Sequence, residues 1–278
     1  PVVSMPATWV APAPLCADVD RAVVIRAMAA AIAALPDWDS FALPVDAGRD
    51  RDLWFNALEA AGLRPWVHEL GRTIGSIGRV EPFAEKIARH GWKLRQNIRR
   101  ATAAADRAGL ALQVHEGHTA VARQLPVLAE VARASWKQTG RAGDSLVVPY
   151  AGRQQAFFER LLGDTTGTPE ITPLLAVATC GDQPVSVLLC LQHADRLTAL
   201  VTFRTDAVPQ ASTGMQVMAR MVDWSHDRGL SGFDLNASHE WTRHLVDETR
   251  SQDIIVCFAP PLRGRVQNLI AAAGGRLR

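Results

Sequence analysis

The sequence of 278 residues has very little lysine, only four cysteines and almost no net charge. Three lysines stand against 27 arginines, a bias typical of a GC-rich genome rather than of dense anion recognition by guanidinium groups. The 30 basic and 28 acidic residues leave a net charge of +2. This balance excludes a polycationic nucleic-acid binder and a highly charged disordered chain, but it permits a local basic patch.

The cysteines and the apolar runs exclude further classes of protein. The longest apolar run, 27–35, has nine residues and is too short to span a bilayer. The first six residues lack the basic start of a signal peptide, and an opening proline predicts a start inside a longer chain or after processing. The cysteines form no C-x-x-C pair, so we expect reduced, buried thiols in a cytoplasmic protein rather than a disulfide framework or zinc site: Cys16, Cys180, Cys190 and Cys257.

Charge is distributed unevenly along the chain. Residues 1–63 contain four arginines and eight acids, whereas residues 86–107 contain seven basic residues and a single acid. A chain of this length holds two domains or one large one. We predict an N-terminal α/β part at 1–85, a basic connecting helix at 86–109 and a larger domain at 110–278.

Hydrophobic periodicity predicts helices and strands in a definite order. Three apolar runs joined by short polar connections predict an antiparallel meander at 174–179, 184–191 and 196–203. The other predicted strands are 40–45, 65–70, 110–114, 232–235 and 254–258. The predicted helices are 18–35, 51–61, 85–108, 119–139, 152–162, 214–228 and 262–273.

Several stretches carry a resemblance to a known fold. They are KLRQNIRR at 93–100, Ala-Ser-Trp at 134–136, the first two meander strands, and the strand and loop GFDLNASHEW at 232–241. With the order of elements they resemble the GNAT acyltransferase fold over about residues 90–278. More narrowly, the chain is similar to bacterial acetyltransferases of the cellulose-biosynthesis type and to the FemABX aminoacyl transferases. This implies an α/β fold with a GNAT-like mixed, largely antiparallel sheet flanked by helices, and a partial GNAT-like N-terminal α/β part.

The resemblance implies a site for an acyl-CoA donor. In this fold the pantetheine lies along the edge of the last meander strand, and the pyrophosphate sits on the N-terminus of the next helix, where backbone N–H groups bind anions. Compared with the usual signature, Gln210 lies one residue too far from Gly214, and Gln216 occupies the last small position. The alternative interpretation is an ordinary helix start capped by Ser212 or Thr213. The implied donor residues are Thr202, Phe203, Arg204, Gln210, Ser212, Thr213 and Gly214.

Acyl transfer to an amine also needs a base for the amine proton and donors for the developing oxyanion. In a GNAT fold the late strand and its loop face the helix start. This implies that Glu240 or His239 is the base, with Asp234 beside them. For Asp234 the alternative is a strand-end residue that bonds to backbone.

Three further residues complete the predicted acceptor pocket: Asn236, Trp136 and Tyr150. For Trp136 the alternative is a place in the core. The related family carries a tyrosine after the acid of the loop, whereas this chain has Trp241 there. Its only tyrosine lies elsewhere in the sequence, so no tyrosine acid is expected at the usual place.

Three functions stay open from the sequence. The first is an N-acyltransferase that moves an acyl group, most simply acetyl, from acyl-CoA to a small-molecule amine. The second is a FemABX-like transferase that uses aminoacyl-tRNA, with the basic segment from Lys86 to Arg107 meeting the tRNA or a CoA phosphate. The third is an inactive GNAT-like binding scaffold, and for the basic segment the alternative is a solvated face.

Two look-alike motifs are set aside. Gly-Asp-Ser-Leu at 143–146 resembles a hydrolase nucleophile motif, but no predicted strand precedes Ser145. His239 and His244 are five residues apart, one more than the zinc signature allows, and on a helix the two rings would diverge. We therefore predict no metal site.

Overall fold

The computed structural model describes residues 2–4, 20–35, 40–48, 50–78, 80–135, 162, 171–235 and 242–258. The chain divides into two compact units, a smaller one of residues 1–73 and 250–278 and a larger one of residues 74–249. This division differs from the predicted one. The basic segment at 86–109 lies inside the larger unit, and the end of the chain belongs to the smaller unit.

The smaller unit combines two helices with a short sheet. β1 runs parallel to β2, and β2 pairs antiparallel with β9. Trp54, Leu43 and Leu58 are almost fully buried in its core. Its strands are β1 (Val2–Ser4), β2 (Ser40–Asp46), the first part of β3 (Pro65–Ile77) and most of β9 (Glu248–Phe258), and its helices are α1 (Arg21–Ala34) and α2 (Arg51–Ala60).

The larger unit is a mixed, mostly antiparallel sheet with helices packed on it, as predicted. Its strand order is β3-β8-β7-β6-β5-β4. Strands β7 and β8 are parallel, and the other pairs described in this unit are antiparallel. Its elements are α3 (Phe83–Ala88), α4 (Trp92–Arg107), β4 (Leu110–Glu116), α5 (His118–Arg123), α6 (Leu125–Ala134), β5 (Ile171–Cys180), β6 (Gln183–His193), β7 (Arg196–Arg204), α7 (Thr213–Asp227) and β8 (Gly232–Asp234).

The meander β5–β6–β7 forms as predicted because apolar runs and turn residues agree. Two-residue turns join the strands, with Gly181 at φ +57° and Ala194 at φ +50°, the backbone conformation that tight hairpin turns require. Helix α7 packs on this sheet through Val217 and Met221, which are both fully buried in the main core. The chain therefore passes from β7 through α7 to β8, and α7 is packed against the meander sheet along this connection.

Two predicted helices are each divided into two. The helix predicted at 85–108 is interrupted before α4, where Gly91 is extended at φ −59° and ψ 154°. The helix predicted at 119–139 is divided at Gln124, because Pro126 in the first turn of α6 has no N–H for the preceding helix to bind. The hydrophobic periodicity of the sequence continues across both interruptions, so it did not predict them.

Strand β3 continues to Ile77, seven residues beyond its predicted end. Gly75 allows this extension, because a Cβ at that position would lie 2.5 Å from Cγ2 of Val246. The helices predicted at 262–273 and, apart from Leu162, at 152–162 lie outside the described residues. Across the described ranges, no helix has both the length and the apolar character needed to cross a bilayer.

Candidate functional site

Strand β7 connects the two halves of the candidate site. It pairs with β6 as far as Arg204, whereas its parallel pairing with β8 covers only Arg196 to Thr198. β8 bonds to β3 on its other side, where Asp234 pairs with Ser76 and the Leu235 N–H donates to the Gly75 carbonyl at 2.8 Å. The pairing with β8 therefore ends before the last part of β7, and from there the chain continues to the start of α7.

The N-terminus of α7 presents backbone donors. Ser212 adopts a left-handed conformation (φ 48°, ψ 55°), and its carbonyl accepts bonds from the N–H groups of Met215 at 2.7 Å and Gln216 at 3.2 Å. No side chain among the residues that the structure describes caps the helix. Within the described part of the chain, nothing accepts from the N–H groups of Thr213 and Gly214. The expected cap by Ser212 or Thr213 is therefore wrong, and two donors point out of a helix start, where the dipole favours an anion.

Gln216 holds this helix start in place. Its buried side-chain Nε2 donates to Thr102 Oγ1 of α4 at 3.3 Å and to the Ala211 carbonyl at 3.4 Å. The 3-10 turn Pro209–Ala211 packs on α4, with Ala211 against Ala104 and Ala105. Gln216, which occupies the last small position of the signature, therefore points into the protein and holds the 3-10 turn against α4.

The Arg204 side chain lies beside Gly214, one of the two open donors. A Cβ built on Gly214 would lie 3.5 Å from Cδ of Arg204, so this side chain runs across the start of α7. Its Nη1 lies 3.8 Å from Oδ1 of Asp206, and both side chains are exposed, so the pair is weak. The structure therefore brings together Arg204, Thr213 and Gly214.

The other predicted donor residues have different positions. The Phe203 side chain is buried, at 3% exposure, and the Thr202 hydroxyl donates to the Val187 carbonyl at 3.1 Å. Gln210 and Ser212 are exposed on the turn that precedes α7. The Thr213 hydroxyl is buried and has no hydrogen-bond partner within the described residues.

Asp234 is held by two side chains at the end of β8. Its Oδ1 accepts a hydrogen bond from Ser76 Oγ at 2.5 Å and another from Arg196 Nη2 at 3.1 Å. The guanidinium reaches Asp234 by crossing Gly232, where a Cβ would lie 2.7 Å from Nη1. Asp234 therefore has side-chain partners, which the sequence alternative of a strand-end residue that bonds to backbone did not include. Sequence reasoning missed Ser76, which is 158 residues from Asp234 and carries no local signal.

The remaining predicted site residues, Asn236, His239, Glu240, Trp136 and Tyr150, lie outside the described residues. Asn236, His239 and Glu240 fall between Leu235 and Thr242 in the sequence, and both of these described residues are buried. Their predicted roles stay predictions. No group of three or more His, Cys, Asp or Glu side chains that could hold a metal occurs within the described ranges.

Two residues of the basic segment, Lys86 and Arg89, form ion pairs with acidic residues of the protein. Lys86 is buried, and its Nζ lies 2.7 Å from Oδ1 of Asp247. Arg89 forms an ion pair with Glu81. The exposed cations that stay available on α4 are Lys93, Arg95, Arg99, Arg100 and Arg107.

A sequence model of the acetyltransferase (GNAT) domain family matches residues 93–244, more than half of the chain. The chain belongs to this family of acetyltransferase (GNAT) domains. No curated protein sequence matches it significantly.

Solved structures show the same fold over most of the chain. The C-terminal domain of a protein assigned as a lysylphosphatidylglycerol synthetase from Agrobacterium fabrum has a TM-score of 0.54 at 10% identity, covering 92% of this chain and 78% of its own. L-PGS from Bacillus licheniformis has a TM-score of 0.54 at 11% identity, with 94% and 81% covered. FemX has a TM-score of 0.54 at 11% identity, with 90% and 79% covered. The resemblance to the GNAT fold, including a FemABX relative, is confirmed.

Proposed function

We propose that this chain is an N-acyltransferase that moves an acyl group, most simply acetyl, from acyl-CoA to the amine of a small molecule. One observation carries the proposal: the N–H groups of Thr213 and Gly214 have no acceptor among the described residues and lie beside the Arg204 side chain. Membership of the acetyltransferase (GNAT) family supports transfer chemistry at this place in the fold.

In this proposal the pyrophosphate of the donor accepts hydrogen bonds from the Thr213 and Gly214 N–H groups. Preorganised backbone donors at a helix N-terminus bind phosphate without the entropic cost of ordering long side chains. Gln216 keeps the turn fixed on α4, so the donors are in place before the ligand arrives. Arg204 adds a cation at the rim.

The proposed reaction is direct attack. The nitrogen of the neutral amine adds to the thioester carbonyl carbon, the C–S bond breaks, and CoA leaves as its thiolate. Glu240 or His239 takes the proton that the amine loses. Asp234 is a positioning residue in this scheme, because its carboxylate is bonded to Ser76 and Arg196 and lies two residues before the start of the polar loop.

The test is binding of CoA to the purified chain, followed by calorimetry. Gly214→Asp places a carboxylate against the phosphates and should abolish binding, since like charges at contact distance repel. Gln183→Glu adds the same charge at the exposed first residue of β6 and should bind as the wild type does. The proposal fails if the wild-type protein binds no acyl-CoA at millimolar concentration, or if Gly214→Asp binds as tightly as Gln183→Glu.

A FemABX-like transferase that uses aminoacyl-tRNA is the second candidate. The observation that favours it is the set of exposed cations on α4, since contacts to a phosphate backbone supply salt-dependent affinity. It predicts tRNA binding that weakens with added salt and with the triple substitution Arg95→Gln, Arg99→Gln and Arg100→Gln. Unchanged tRNA binding in that variant would exclude it.

A further inference from the structure

An open surface cavity of about 300 Å³ lies against the first half of α4. The described residues that line it are Trp92, Arg95, Gln96 and Arg99. Their spacing of three, four and seven residues places all four on one face of the helix. The cavity therefore has one aromatic wall, one amide and two guanidinium groups.

The polar and aromatic groups of this face are exposed rather than packed into the core. Trp92 is 68% exposed, the most exposed of the large hydrophobic side chains among the described residues. Arg95 donates a long bond of 3.4 Å to the Ala88 carbonyl at the end of α3, and Arg99 is exposed. The buried face of α4 points elsewhere and is formed by Ala101, Ala104 and Ala105. The exposed indole of Trp92 therefore lies on the same helix face as two guanidinium groups, an aromatic surface for stacking beside two groups that can bind a phosphate.

The cavity lies next to the candidate donor site. Thr102 follows Arg99 by three residues, about 4.5 Å along the helix axis. The Thr102 hydroxyl contacts Gln216 in the first turn of α7. A ligand anchored on the Thr213 and Gly214 N–H groups therefore has the Arg99 end of this face as its neighbour.

We propose that the Trp92–Arg99 face is a subsite for a purine nucleotide that carries a phosphate. The indole stacks on the base, the Gln96 amide is suited to the paired donor and acceptor edge of adenine, and Arg95 and Arg99 bind the phosphate. This inference rests on the proposed function where the nucleotide is the adenosine 3′-phosphate end of CoA. The 3′-terminal adenosine of an RNA has the same chemistry, and the experiment distinguishes the two.

The experiment compares two double variants of α4 with the wild type. Arg95→Gln/Arg99→Gln removes two charges from the cavity face. Lys93→Gln/Arg100→Gln removes two charges from a different face of the same helix and is the matched control. Trp92→Ala removes the stacking wall. Circular dichroism confirms folding, and calorimetry measures binding of CoA, 3′-dephospho-CoA, pantetheine and a short RNA hairpin ending in CCA.

We expect the wild type to bind CoA more tightly than 3′-dephospho-CoA. The Arg95→Gln/Arg99→Gln variant should lose about tenfold or more in CoA affinity, as two charge-assisted contacts disappear, and its preference for the 3′-phosphate should vanish. Trp92→Ala should weaken CoA and dephospho-CoA but not pantetheine. The Lys93→Gln/Arg100→Gln control should bind CoA as the wild type does, because neither side chain lines the cavity.

Other outcomes separate the subsite from the proposed function. If both double variants bind CoA as the wild type does, the subsite is overturned and the acyl-CoA proposal stands. If the wild type binds no CoA, but the RNA hairpin binds and loses more affinity in Arg95→Gln/Arg99→Gln and Trp92→Ala than in Lys93→Gln/Arg100→Gln, the subsite stands with RNA as its source and the acyl-CoA proposal falls. If the RNA hairpin loses equal affinity in both double variants, the subsite is overturned. If neither ligand binds the wild type, both are overturned.

Discussion

The close approach of Arg196 to Gly232 predicts the effect of a single methyl group. In Gly232→Ala, the new Cβ would lie 2.7 Å from Nη1, 2.8 Å from Cζ and 3.0 Å from Nη2 of Arg196. Real Cβ atoms are not found so close to other heavy atoms, so the guanidinium has to move. Its 3.1 Å hydrogen bond to Oδ1 of Asp234 is then lost, while the bond from Ser76 stays.

The expected cost follows from the exposure of the two partners. The Arg196 side chain is 45% exposed and regains water, whereas that of Asp234 is only 12% exposed and keeps its charge with one donor fewer. A hydrogen bond to a charged group contributes about 1.5–3 kcal/mol when buried, and the exposed arginine reduces this to about 1–2 kcal/mol. For a chain of this size, each kcal/mol lowers Tm by roughly 2–4 °C.

A double-mutant cycle tests this reasoning by urea unfolding. Gly232→Ala and Arg196→Gln should each lower the free energy of unfolding, and Gly232→Ala should cost little more once Arg196 is already Gln. Gly91→Ala is the control for a new methyl group, because a Cβ there has no heavy atom within 4 Å. Additive losses in the double variant would refute the account, since Arg196 would then not be the displaced group.

Three further predictions concern the base, the helix start and the thiols. Glu240→Gln should keep the wild-type Tm but lose acyl transfer. Full acyl-transfer activity in this variant would exclude Glu240 as the base. Loss of that activity in a normally folded variant would exclude the inactive-scaffold alternative. Gln216→Met should weaken CoA binding about fivefold, the equivalent of about 1 kcal/mol for the lost hydrogen bonds to Thr102 and Ala211. An unchanged Kd for CoA would show that these two hydrogen bonds are not needed for binding. Iodoacetamide should modify half-buried Cys180 before Cys190 and Cys257, because both of these are buried and burial raises the pKa of the Cys190 thiol; equal rates by peptide mapping would contradict the burial.

Local patterns were sufficient to predict the centre of the larger unit. The three meander strands and the helix that ends before Gly229 each have apolar periodicity bounded by turn residues, and each is confirmed. They also position the candidate donor site, because a helix start after a strand is specified by residues close together in sequence. The family resemblance depended on the same elements.

Longer-range contacts were not predictable from one sequence. Ser76 and Arg196 meet Asp234 from 158 and 38 residues away, and no local pattern links these positions. The position of Gln216 was visible as a departure from the signature, but its inward turn depends on Thr102 in another helix. The packing of α4 on the 3-10 turn was also not predictable, since the basic charge of this helix does not indicate which residues it contacts.

The most direct test of the donor site observes its two backbone donors themselves. In a 15N-labelled sample titrated with CoA, the amide resonances of Thr213 and Gly214 should move downfield together, as expected when a phosphate accepts their hydrogen bonds. Amides in the exposed turn at Gly181–Asp182 should stay unchanged. Saturable CoA binding that leaves Thr213 and Gly214 unmoved, or no binding at all, would contradict the account.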